Sequence, residues 1–190
     1  MKNIKPPFSL TENIFTLSSE IQRLLGRYEG IAMPKPSIKL RRSSRIKTIQ
    51  GSLEIEGNKL TQEQVTAILD GNRVVGPQKD ILEAKNAIAL YDQAGTFNVL
   101  SEKSFCKAHS VMMKGLVKNP GRWRTGNIGV VEGSKVKHVA PKPNMVTGLV
   151  SNLFEFMKKE DKKKYLIASC VFHYELEFIH PFEDGNGRMG

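Results

Sequence analysis

The residues best equipped for chemistry in this chain are its last eleven, His180-Pro181-Phe182-Glu183-Asp184-Gly185-Asn186-Gly187-Arg188-Met189-Gly190. His180 can take up a proton near neutral pH. Asp184 can hold a hard divalent cation through oxygen. Gly185 and Gly187 let the backbone approach phosphate oxygens and turn N–H groups toward them. Asn186 can donate to an oxygen, and Arg188 can fork onto a phosphate. Together these groups suit the handling of a phosphoryl-containing group. Asp-Gly and Asn-Gly in tandem also read as a plain tight turn.

The full string decides between the two. His-Pro-Phe-x-Asp-Gly-Asn-Gly-Arg resembles the signature of the Fic family (filamentation induced by cAMP). The resemblance implies a mainly α fold, a Fic-type helical bundle with one short β-hairpin flap. It implies transfer of AMP from ATP to a Ser, Thr or Tyr hydroxyl of a target protein, with release of pyrophosphate. His180 would deprotonate the hydroxyl, and Asp184 would hold Mg²⁺ across the α- and β-phosphates. Gly185, Asn186 and Gly187 would cradle phosphate, and Arg188 would hold the β-phosphate region. Phe182 is expected to anchor the loop in the core. The family signature ends with a second arginine two residues after Met189, past Gly190. The chain is therefore expected to be truncated at the end of the signature, and an inactive piece is compatible with this.

A second stretch, Ser52-Leu53-Glu54-Ile55-Glu56-Gly57-Asn58, places the Ser52 hydroxyl and the Glu56 carboxylate one helical turn apart on one face. It resembles the inhibitory motif of Fic proteins with a built-in N-terminal inhibitory helix. There the glutamate pairs with the second arginine and blocks the γ-phosphate. The corresponding division is an N-terminal helical region, 1–75, with the inhibitory helix at about 39–57, and a catalytic core, 76–190.

The elements that must position these groups are mostly helices. Apolar residues recur at helical spacing in Ile14–Tyr28, Ile46–Leu53, Val65–Leu69, Ile81–Tyr91, Phe105–Leu116, Val146–Met157 and Leu166–Ile179. Thr61 with Gln64 reads as a capping box, Ser101 and Asn144 as further caps, and Met33–Pro36 as a break. Leu166–Ile179 is the most apolar stretch, expected to be buried on most sides and to deliver His180 at its end. His109 and His173 read as structural. Strand signals are confined to about residues 127–140, where Ile128–Val131 and Val136–Val139 flank Glu132–Lys135. In the family this hairpin is the flap that clamps an extended target segment by strand addition. Ile128, Gly129, Val130, Val131, Val136 and His138 are its target-binding candidates. His138 faces either nucleotide or solvent.

Composition bounds the rest. With 39% hydrophobic and 25% charged residues, the chain suits a globular domain with a core. No apolar run nears the ~20 residues needed to span a bilayer, and the first residues lack a secretory h-region. Cys106 and Cys170 are expected as buried thiols in a reducing, cytoplasmic setting. A net charge of +10 permits many acidic partners and selects none. The run Lys158–Lys164 reads as a solvated loop, so nucleic acid is not an expected partner of this segment. Expected partners are a target protein and a nucleotide, with no membrane, and with oligomerisation left open. Other readings stay open beside AMP transfer: de-adenylylation, transfer of another nucleotide or phosphate-containing group, or a non-catalytic basic binding module.

Overall fold

Helix caps and stops written in the sequence set the element order. In a computed structural model, residues 5–30, 37–132, 135–161 and 165–190 are described, without the side chains of 130–137. The Met33–Pro36 break, the Gly133-Ser134 turn and Lys162–Lys164 lie outside the described residues. The helices are α1 (Glu12–Gly30), α2 (Ile38–Ile55), α3 (Gln62–Leu69), α4 (Gln78–Gln93), α5 (Glu102–Met112), α6 (Pro143–Lys159), α7 (Tyr165–Ile179) and the short α8 (Asn186–Met189). Between α5 and α6, β1 (Gly129–Glu132) pairs antiparallel with β2 (Lys135–Val139), with an irregularity between Val130 and Val131. The mainly α bundle with one hairpin is thus as expected.

Thr61 and Gln64 exchange hydrogen bonds in the expected capping box, and Ser101 accepts from Ser104 N–H at the start of α5. α2 ends because Gly57 adopts φ 88° and Asn58 N–H returns to the Leu53 carbonyl. One difference lies at α6. Pro143 opens that helix, in the first turn where its missing N–H costs nothing, so Asn144 is inside the helix and not its cap.

Two apolar clusters form the core. The first joins Ile46, Ile49 and Leu53 of α2 to Val65, Ala84, Ala87, Met112 and Met113, with Met189 packed against it. It therefore runs across residues 75 and 76. The second joins Val146, Val150, Leu153 and Phe154 of α6 to Ala168, Leu176 and Ile179 of α7.

Two expectations about burial need correction. α7 is buried on one stripe, Ala168, Leu176 and Ile179, while Cys170, Tyr174 and Phe178 are exposed. Its apolar content therefore exceeds what one packed side requires. Cys170 is not a buried thiol, and Cys106 is half-buried; both are free. α1 forms as the periodicity indicated, but none of its residues is buried.

Candidate active site

Pro181 disfavours the helical conformation for the residue before it, and α7 stops at Ile179. His180 then turns at φ 50°, the one non-glycine with positive φ among the described residues. Its imidazole is half-buried, and Nδ1 has no hydrogen-bond partner. Burial pushes the ring's pKa below the usual histidine value. The Arg124 charge and His138 push the same way. The Glu177 backbone carbonyl and Asp184 oppose them. Nδ1 is itself buried; a neutral imidazole retains one ring lone pair that can accept a proton.

The loop beyond it is held from beneath. Phe182 is fully buried, stacked on His109 at 3.6 Å between ring centroids and packed on Trp123 and Phe105. It is the core anchor expected. His109 is structural but also grips the loop. Its Nδ1 accepts from Gly121 N–H at 2.8 Å, so Nε2 carries the proton and donates to the Asp184 carbonyl at 2.9 Å. Burial lowers its pKa, in keeping with a neutral ring.

Asn186 is 2% exposed and has a different partner from the phosphate oxygen expected of it. Its amide accepts from Phe182 N–H at 2.8 Å and donates to the Phe182 carbonyl at 3.0 Å, closing the loop on itself. Gly185 sits at φ 85°, and a Cβ there would lie 2.6 Å from Met113 Sδ, so both conformation and space demand glycine.

Asp184 keeps its side chain 47% exposed. Oδ1 accepts from Gly185 N–H at 2.6 Å and from Arg188 Nη2 at 2.9 Å, while Oδ2 has no hydrogen-bond partner among the described residues. Arg188 is turned inward, its side chain 4% exposed, and its Nη1 donates to Glu83 Oε1 at 2.7 Å. Glu83 Oε2 in turn accepts from Asn58 Nδ2 at 2.9 Å. Sequence reasoning missed Glu83. It lies one position off the apolar stripe of α4, and a buried carboxylate is legible there only once Arg188 is seen to need a partner.

The two distant motifs meet. The Glu56 carboxylate lies against Gly187, where a Cβ would overlap Oε1. Glu56 is also close enough to Glu177 to raise that group's pKa, although burial is the larger cause. Ser52 does not reach the loop; its hydroxyl donates to the Ile49 carbonyl at 2.9 Å within α2. On the other side, His138 Nε2 contacts the Phe178 carbonyl at 2.8 Å and its ring lies 4.6 Å from that of Phe178. It therefore pins the hairpin beside His180. Ala140 N–H donates to the Ile128 carbonyl at the hairpin base. Gly129, Val130, Val131 and Val136 supply paired backbone, but the side chains of the three valines lie outside the described residues.

Residues 99–190, which contain both the hairpin and the His180–Arg188 loop, match the Fic/DOC family. They form a Fic/DOC domain. A Fic family protein from Desulfovibrio desulfuricans G20 of known structure is 44% identical, with a TM-score of 0.90 over 98% of this chain and 57% of that one. A Fic-domain signaling protein from Bacteroides thetaiotaomicron shares the fold at 21% identity and a TM-score of 0.76. Among curated proteins, a probable protein adenylyltransferase of Aquifex aeolicus is 30% identical over 73% of this chain and 43% of its own length. A protein adenylyltransferase Fic of Nematostella vectensis is 25% identical over 83% of this chain and 39% of its own. The chain thus spans about two fifths of the length of these curated relatives. No described helix is long and apolar enough to cross a membrane.

Proposed function

We propose that this chain carries the catalytic centre of a protein adenylyltransferase, transferring AMP from ATP to a side-chain hydroxyl of a target protein. The observation that carries the reading is the single loop that brings His180, Asp184 and the Gly185–Arg188 turn together, with the hairpin tied beside His180. His180 accepts the hydroxyl proton while that oxygen attacks the α-phosphorus. The new P–O bond forms as the bond to the β-phosphate breaks, and pyrophosphate leaves. Backbone N–H groups near Gly187 meet phosphate oxygens; Arg188, expected at the β-phosphate, is instead buried between Glu83 and Asp184 and holds the loop in place. The hairpin edge offers backbone pairing to an extended target segment.

The donor set fits Mg²⁺ brought in with ATP. Among the described residues no cluster of three or more His, Cys, Asp or Glu makes a metal cage. Mg²⁺ characteristically takes one or two carboxylates plus phosphate oxygens, and Asp184 offers an exposed, unpartnered Oδ2. When bound, the ion supplies neutralisation of charge on the leaving group.

Regulation follows from Glu56. Its carboxylate against Gly187 takes space and brings negative charge where phosphate would lie, so the end of α2 acts as an inhibitor of the site. The test is incubation of the purified protein with α-labelled ATP, Mg²⁺ and candidate target proteins. Label in protein that is absent with γ-labelled ATP supports AMP transfer. Label from both nucleotides, or from the γ-position alone, contradicts it.

A further inference from the structure

Arg124 is 5% exposed, yet no described carboxylate pairs with it. A buried guanidinium is tolerated when its donors meet carbonyl oxygens, and here they do. Nε donates to the His180 carbonyl at 2.7 Å, and Nη2 to those of Ile179 at 3.2 Å and Pro141 at 2.6 Å. Nη1 donates to the Gly126 carbonyl at 2.8 Å, and the backbone N–H of Arg124 to that of Pro181 at 2.9 Å. Its neighbour Trp123 packs on Phe182, 4.8 Å between ring centroids.

Two facts give this cage a direction. Ile179, His180 and Pro181 are consecutive and centre on the strained residue, whose φ of 50° persists only where surroundings over-determine it. Gly126 and Pro141 bracket β1 and β2. We infer that Arg124 is a positioning residue for the proposed reaction: it clamps the turn that presents His180 and ties both stems of the hairpin to that turn. The inference rests on the reading of His180 as the base. Arginine suits the task because its planar fork reaches several carbonyls in fixed directions, whereas lysine offers three donors from one point. The same cation beside the ring favours the neutral imidazole.

Arg124→Lys keeps the charge and removes the fork, so it separates clamping from electrostatics. Hydrogen exchange of residues 126–141 and 179–182 is compared with that of α2–α4, and kcat and nucleotide KM are measured separately for AMP transfer. The expected result is roughly tenfold or more faster exchange confined to those two segments, with α2–α4 unchanged. With it, kcat falls by about tenfold or more while KM stays within about twofold. Unchanged exchange, or a raised KM with unaltered kcat, overturns the inference. If the unsubstituted protein transfers no label, the adenylyltransferase reading fails, and the exchange data still decide the clamp. If Arg124→Lys does not fold, the Arg124 Nε–H resonance of the unsubstituted protein decides it. Slow exchange of that proton supports the clamp, and rapid exchange with an averaged guanidinium contradicts it.

Discussion

His180 combines a buried, unpartnered Nδ1 with a pKa pushed down chiefly by burial. His180→Ala is expected to cost about 10²–10⁴ in the rate of AMP transfer while the circular dichroism spectrum stays unchanged. The sign of the pH dependence follows from the direction of the shift. A depressed pKa keeps the base neutral to lower pH than an ordinary histidine, so the acid limb of log(kcat/KM) against pH, which reports the free protein, should fall below pH ~6.5. An acid limb above that value would contradict the assignment. The two thiols should also differ. Burial, aided by Glu102, raises Cys106 to about 11, whereas Cys170 is exposed. Iodoacetamide at pH 8 should therefore label Cys170 first, read by peptide mass spectrometry, because only thiolate reacts.

At the scale of elements, α4 meets the His180–Arg188 loop through a buried ion pair, Glu83 with Arg188. Glu83→Ala would leave Arg188 buried with Asp184 as its remaining carboxylate. Removing one partner of such a pair typically costs about 3–5 kcal/mol, measurable as a lowered midpoint in urea; a change under about 1 kcal/mol would show that Arg188 finds solvent or another partner. This contact also marks where sequence stopped being legible. The helices, the capping box, the hairpin and the Asp184–Arg188 turn could be read because each is signalled within a few residues. The partners of Arg188, Asn186 and Arg124 could not, since they are set by packing between segments far apart in the chain. α7 misled for a related reason. Apolar periodicity reports that a face can be buried, not that a neighbour covers it, and Tyr174 and Phe178 stand exposed.

For the whole molecule, the central claim is that a loop at one end of the chain does the chemistry and a helix end from the other half restrains it. The meeting of Glu56 with Gly187 joins the two. A carboxylate there competes with phosphate through volume and like charge, and its removal should open the site without touching the base. The direct measurement is incorporation of α-labelled AMP by the unsubstituted protein, Glu56→Gly, and Glu56→Gly combined with His180→Ala. Incorporation should rise with Glu56→Gly and vanish in the double variant. Equal incorporation by the unsubstituted protein and Glu56→Gly would contradict the restraint, and persistent incorporation in the double variant would contradict the base.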